Sequence, residues 1–326
     1  MRSSQIEGTQ ATLVDLLTYE TDNDGDDATP RDPDVEEICN YLAALSFGRQ
    51  QLSDPAGLPL SMGLLNAAHT RLMQGVRGAE KLPGEVRRSQ NWLGKSRPGN
   101  AGYVPPPPYA LPGALSNFEK YIHAQDAMRA LLRAGLLHVQ FETIHPYLDG
   151  NGRIGRLLVT LLLEHWKLLT KPLLYLSLYF KRHRSENYRR LNAVRLAGEW
   201  EAWLDFFLDA VTTIADEAAV SGRHPHALVA LDRDRVLGHE GATIVSLRLF
   251  EWLPTHPIVT IAFVMKRLMI SKPTAGRAIE ALDRAGILAE LTGRRRDRSW
   301  AYQHYLDQLR VGTELEVPDR PGRRRR

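Results

Sequence analysis

The chain has 326 residues, 43% of them hydrophobic, with 42 Lys and Arg against 38 Asp and Glu. That is material for two or three domains with buried cores, and no apolar run approaches the roughly 20 residues a membrane helix needs. One cysteine, Cys39, excludes an internal disulfide, and the first ten residues carry no apolar signal region. A reducing cytoplasm is the expected setting, with no membrane as partner.

The small net charge of +4 hides a division. After Gly222 stand 19 Lys and Arg against 12 Asp and Glu, net +7, whereas the residues before carry 23 against 26, net −3. The basic excess is C-terminal and points to a separate module with a partner of its own.

In chain order, the run DNDGDDATPRDPDVEE is acidic, and Asp22, Asp24 and Asp26 have calcium-loop spacing. Asp27 stands where such a loop needs glycine and Pro33 where it needs glutamate, so it reads as a solvated loop. A helix follows, with Asp34 and Glu37 as a capping box and Val35, Ile38, Leu42 and Leu45 on one side. Ser61 is placed to cap a second helix striped by Leu64, Leu65, Ala68, Leu72 and Val76. Residues 83–109 are rich in turn formers and end in extended-backbone prolines, yet Trp92, Leu93, Tyr103 and Val104 are too apolar for a solvated linker. Residues 117–141 read as one long apolar helix. Helices resume near 185–196 and over 200–219, where Trp203, Phe206, Phe207 and Ala210 share a face; Arg182, His183 and Arg184 make a solvated connection before them. His123, His138 and His165 lie within helices and read as structural.

The most informative segment is His145-Pro146-Tyr147-Leu148-Asp149-Gly150-Asn151-Gly152-Arg153-Ile154-Gly155-Arg156. Leu157, Leu158, Leu161 and Leu162 recur at helical spacing just after it, so the backbone N–H groups of Gly150, Asn151 and Gly152 fall at a helix N-terminus, a ready cradle for phosphate. Arg153 and Arg156 are three apart on the first turn, where both can reach one polyphosphate. His145 is the loop's one histidine and its candidate proton acceptor; Asp149 is a hard oxygen ligand suited to Mg²⁺.

This segment resembles the signature of Fic-domain proteins, His-Pro-Phe-x-Asp-Gly-Asn-Gly-Arg-x-x-Arg. It departs at Tyr147, where the family usually has Phe, and a buried tyrosine hydroxyl needs a partner. The resemblance implies AMP transfer from ATP onto a Ser, Thr or Tyr hydroxyl of a target protein, with release of pyrophosphate. It also implies that Asn151 helps hold the α-phosphate. Tyr188 and Asn192, on the helix after the loop helix, are candidates for the adenine pocket. Residues 83–109 resemble the Fic flap, a β-hairpin that pairs with an extended target segment and presents its hydroxyl to His145.

At the N-terminus, Ser3-Ser4-Gln5-Ile6-Glu7-Gly8 resembles the family's inhibitory motif, Ser/Thr-x-x-x-Glu-Gly/Asn. The resemblance implies that Glu7 pairs with Arg156 and denies it to the γ-phosphate. A helix from Ser3 to Gly8 is too short to persist alone; it is either held by packing through Ile6 or only loosely held.

From Ile244 the pattern changes. Residues 244–253 read as one helix, Ile261, Val264 and Leu268 mark a second, and Ser271 caps a third that runs through Ala278, Ile279 and Leu282 to Gly286. Residues 287–291 and 299–302 can form a hairpin tipped by Arg294, Arg295 and Arg296. The order resembles a winged helix-turn-helix, with Lys272 and Arg277 placed as phosphate contacts would be.

The expected fold is therefore mostly α: a Fic-type helical core with a small β-hairpin flap, then a C-terminal winged helix-turn-helix-like domain. Residues 1–82 form the N-terminal helical region, 83–220 the core, 221–243 a linker, 244–310 the winged-helix-like domain and 311–326 a basic disordered tail. The expected activity is ATP- and Mg²⁺-dependent protein adenylyl transfer. Two alternatives stay open: a DNA-binding regulator whose Fic core senses nucleotide, and a related transferase moving another phosphate-containing group. Besides the target protein, DNA at 272–298 and a second copy of the chain are the partners to weigh.

Overall fold

The computed structural model describes residues 15–17, 32–76, 78–94, 98–125, 127–221, 223–293 and 298–310. These fall into two compact units, one of residues 32–215 and one of residues 15–17 and 216–310. Both are predominantly helical.

In the first unit, α1 (Pro33–Ser53) starts at Asp32, whose carboxylate accepts from the Asp34 N–H at 2.9 Å, with Pro33 in the first turn. The expected Asp34–Glu37 box does not form, because the cap lies two residues earlier. Glu37 is turned inward instead and is 3% exposed. α2 (Met62–Leu72) is capped as its sequence predicts, the Ser61 hydroxyl accepting from the Leu64 N–H at 3.3 Å.

The single helix expected across 117–141 is two, α3 (Leu111–His123) and α4 (Ala130–Ile144). The reason is visible at the break. The buried Arg133 guanidinium donates to the carbonyls of Tyr121 (2.8 Å) and Ile122 (3.2 Å), which a helix end leaves without intrahelical partners.

α5 (Asn151–His165), α6 (Leu176–Arg182) and α7 (Arg184–Ala197) follow, α7 closing on Gly198 at φ 68°. α8 (Trp200–Ser221) completes the series, with residues 200–215 in this unit. Leu137 and Phe141 of α4, Leu157, Leu158, Leu161 and Leu162 of α5, and Trp203 and Phe207 of α8 are fully buried in one core. The Trp203 indole finds its partner in the Gly135 carbonyl, 2.9 Å away. α4 and α5 thus lie in the interior, and the segment joining them is held from both ends.

In the second unit, α9 (Arg223–Leu237) occupies most of the expected linker 221–243. Its residues have tertiary work: Val236 is buried, and Asp232, also buried, accepts from the Tyr302 hydroxyl at 2.7 Å. α10 (Ile244–Trp252) opens on a Thr243–Ser246 capping box. Then come β1 (Ile258–Thr260), α11 (Ile261–Leu268), α12 (Lys272–Arg284), β2 (Ala289–Glu290), β3 (Ser299–Ala301) and α13 (Gln303–Arg310). β2 and β3 are the expected hairpin. β1, which the sequence reading lacked, adds to the other edge of β3, in antiparallel register Val259↔Trp300.

Candidate active site

Residues 145–156 leave α4 and enter α5. His145 is the C-cap of α4 in a left-handed conformation (φ 51°, ψ 63°), and Gly150 is the N-cap of α5, also left-handed (φ 71°). A Cβ on Gly150 would meet Met73 Sδ at 3.0 Å and His69 Nε2 at 3.1 Å, so both conformation and space demand glycine here. The backbone N–H groups of Asn151, Gly152 and Arg153 are the first of α5 and have no acceptor within the helix. They form an anion-receptive helix start, whereas the Gly150 N–H, expected to share it, is taken up by Asp149 Oδ1 at 2.7 Å.

The loop closes on itself through Asn151. Its amide donates to the Tyr147 carbonyl (2.8 Å) and its Oδ1 accepts from the Tyr147 N–H (2.9 Å), while Asn151 itself is 2% exposed. Both side-chain polar atoms are therefore engaged within the loop. Tyr147 is fully buried, and its hydroxyl donates to Asn66 Oδ1 at 2.8 Å, the partner that a tyrosine at this position requires.

His69 ties the loop to α2. The Gly84 N–H can only donate, so His69 Nδ1 accepts it (2.8 Å), and Nε2 carries the ring proton and donates to the Asp149 carbonyl (3.0 Å). Its ring stacks on Tyr147 at 3.9 Å and 7°. Burial, reinforced by the Arg153 charge, lowers its pKa to about 4, in keeping with that neutral tautomer.

Three charged groups complete the site. Asp149 Oδ1 accepts from the Gly150 N–H (2.7 Å) and Oδ2 pairs with Lys81 Nζ (3.0 Å). Its pKa is lowered: the Lys81 and Gly150 hydrogen bonds and the charges of Lys81 and Arg153 outweigh the opposing effect of desolvation. Arg153 is 3% exposed, with its guanidinium 3.8 Å from Glu37, 3.9 Å from Asp149 and donating to Met73 Sδ at 3.4 Å. Arg156 has other surroundings. It lines a cavity of about 250 Å³ shared with Tyr41, Arg49, Tyr175 and Ser177.

His145 has its pKa lowered to about 3, by desolvation first and then by the cationic Arg195 and Arg87, against the Glu142 carbonyl and the Asp149 charge. Arg195 sits at the end of α4, donating to the Glu142 carbonyl (2.8 Å) and Thr143 Oγ1 (3.3 Å), with its guanidinium 4.1 Å over the Tyr103 ring. Near neutral pH His145 is thus an uncharged imidazole, the form that accepts a proton.

The flap region lies against this loop. Leu93 and Tyr103 form a single antiparallel bridge, Asn91 donates to the Tyr147 carbonyl (3.2 Å), and the Tyr103 hydroxyl donates to the Thr143 carbonyl (3.0 Å). Of the adenine-pocket candidates, Asn192 accepts from Arg195 at 3.1 Å, whereas Tyr188 is exposed and meets the Arg184 guanidinium 5.6 Å from its ring. Ser3 and Glu7 lie outside the described residues.

His69, Glu37, Lys81, Asn66 and Arg87 escaped the sequence reading. His69 alone left a signal: it shares the apolar stripe of α2 with Leu65 and Leu72. Glu37 was masked by its resemblance to a capping residue.

The donor set bears on a metal. Among the described residues no three His, Cys, Asp or Glu side chains cluster, and Asp149 is the one ionised carboxylate at the mouth of the loop. One carboxylate fits Mg²⁺ held chiefly by phosphate oxygens and water.

The site thus joins a neutral histidine to an anion-receptive helix start on one loop of a helical core. Residues 59–163 match the model of the Fic/DOC family, and residues 1–50 match that of the Fic/DOC family N-terminal region. Across these residues the chain carries a Fic/DOC family domain and its N-terminal region.

A probable protein adenylyltransferase of Aquifex aeolicus is 35% identical over 63 residues, 19% of this chain and 20% of its own. A protein adenylyltransferase Fic of Culex quinquefasciatus is 28% identical over 221 residues, 64% of this chain and 41% of its own. The chain therefore spans less than half the length of these curated relatives. In fold, it resembles a Fic family protein from Desulfovibrio desulfuricans G20, with a TM-score of 0.57 at 21% identity over 92% of this chain and 83% of that one. Fic-1 (residues 134–508) from C. elegans gives a TM-score of 0.51 at 17% identity, over 67% and 61%.

Proposed function

We propose that the protein is a protein adenylyltransferase that moves AMP from ATP to a side-chain hydroxyl of a target protein. The observation that carries this reading is the juxtaposition, within one loop, of uncharged His145 with the donor-rich start of α5 and Asp149. The acceptor oxygen bonds to the α-phosphorus, the bond from that phosphorus to the bridging oxygen breaks, pyrophosphate departs, and the hydroxyl proton passes to His145. Backbone N–H groups at the start of α5, with Arg153 and Arg156, hold the phosphate charge. Asp149 would hold Mg²⁺, which supplies charge neutralisation at the phosphates. The low basicity of His145 in the protein alone is countered as an anionic triphosphate settles at the start of α5, because added negative charge favours its protonated form.

The flap at 83–109 is the docking edge for an extended target segment. Glu7, acting on Arg156, is the proposed inhibitor; support comes from the Ser3–Gly8 motif and from the family match over residues 1–50. The test is incubation with radiolabelled ATP and cell lysate. Wild type or Glu7→Gly should label protein, and His145→Ala should lower labelling about 10²–10⁴-fold while ATP still binds. Equal labelling by His145→Ala would overturn the assignment.

A second reading, nucleic-acid binding by the C-terminal unit, is favoured by the turn joining α11 to α12 and by exposed Lys272 at the start of α12. Glu280 and Asp283 on the same helix work against it. Steeply salt-dependent binding of duplex by the full chain is its test.

A further inference from the structure

Arg87 is 2% exposed, and among the described residues no carboxylate pairs with it. Burial of an arginine costs several kcal/mol unless its donors are satisfied, and here all its acceptors are backbone carbonyls. Nε donates to the His145 carbonyl (2.9 Å), Nη1 to that of Ser89 (3.0 Å), and Nη2 to those of Pro106 (2.5 Å) and Ile144 (3.5 Å). The Arg87 N–H adds a bond to the Pro146 carbonyl at 2.8 Å. Ile144, His145 and Pro146 are the last residues of α4 and the first of the loop; Ser89 and Pro106 flank the two sides of the flap.

We infer that Arg87 is the positioning residue for His145, a single guanidinium that fixes the His145 backbone and the base of the target-docking flap in one frame. This deepens the proposed function and rests on it.

Three physical features lead there. His145 holds a left-handed conformation, which costs a non-glycine residue about 1 kcal/mol or more and persists only when neighbours over-determine it. Helix C-termini expose unpaired carbonyls and attract cations, and the planar fork of arginine reaches several of them at once where lysine cannot. Finally, a base and an acceptor hydroxyl must meet within hydrogen-bond distance, and a displacement of about 1 Å costs on the order of 100-fold. Joining both supports through one side chain sets that distance. The charge of Arg87 also helps keep the imidazole neutral; the other charged groups facing His145 are Arg195 from α7 and Asp149 from the loop.

The experiment compares full-length Arg87→Met and Arg87→Lys with wild type. Ring nitrogen resonances are recorded on ¹⁵N-histidine-labelled protein, with His145 assigned through His145→Ala and buried His138 as the folding control. Both variants should shift the His145 signals and leave His138 in place. ATP affinity should stay within about threefold while AMP transfer falls about 100-fold in Arg87→Met. Arg87→Lys should recover part of the loss. Unmoved His145 signals overturn the inference, as does joint movement of His145 and His138, which would mean general loosening. If neither wild type nor Glu7→Gly transfers AMP, the proposed function fails, and the resonances still decide whether Arg87 positions His145.

Discussion

His138→Phe should change the sign of its effect on stability with pH. His138 is 2% exposed, its Nδ1–H donates to the Gly155 carbonyl at 3.1 Å, and its ring stacks near Phe180 (5.6 Å) and Trp203 (5.8 Å). Burial lowers its pKa from 6.5 to about 4. Below pH 6.5 the unfolded chain takes up a proton that the folded chain refuses, so the stabilising effect of neutral His138 is intact above 6.5 and is lost as pH falls toward 4. At pH 5 the linkage relation gives a loss of about 2 kcal/mol from this residue. Phenylalanine keeps the aromatic packing and loses one hydrogen bond, worth about 1 kcal/mol. The variant should therefore be less stable than wild type by about 1 kcal/mol at pH 7.5 and more stable by about 1 kcal/mol at pH 5. Urea unfolding followed by circular dichroism at both pH values measures this, and the His69 contribution cancels between the two proteins. Parallel stability curves across that range would show that His138 is not held neutral by burial.

Other outcomes follow from the loop. Tyr147→Phe should cost about 0.5–1.5 kcal/mol in urea midpoint, because Asn66 loses its hydroxyl partner, and Tyr147→Phe with Asn66→Leu should recover part of it. Gly150→Ala should lower the thermal midpoint and weaken ATP binding measured by calorimetry, since a left-handed alanine costs about 1 kcal/mol before the contacts with Met73 and His69 are counted. Asp149→Ala should remove most of the Mg²⁺ dependence of ATP binding; an unchanged Mg²⁺ titration would place the ligand elsewhere.

The loop was legible because its chemistry is written in consecutive residues. Ser61 and the 287–302 hairpin were legible for the same reason: a cap and a turn are local. What periodicity does not encode is which distant group satisfies a buried donor. Arg133 splitting the helix expected over 117–141, Asp232 recruiting the expected linker into a helix, and Arg87 reaching two segments at once are all partnerships between residues 12 to 70 apart in the chain. Glu37 was misread for a related reason. Its spacing from Asp34 suits a cap, yet the inward side of α1 beside Arg153 claims it.

Asn151 is followed by Gly152, the one Asn–Gly pair in the sequence and the pairing most prone to spontaneous succinimide formation and deamidation. In the folded loop that chemistry is held back. The side-chain amide is spent on the Tyr147 backbone, and Gly152 is locked in the first turn of α5, away from the geometry of attack. Only molecules that have opened the loop can age at this position, and the resulting aspartate would face the Tyr147 carbonyl with a negative charge instead of a donor. Damage of this kind should accumulate at a rate set by loop opening, so a one-dalton gain at Asn151 in stored protein, read by peptide mass spectrometry, is a slow clock for the motions of the site; equal gain in folded and urea-unfolded samples would show that the loop gives no protection.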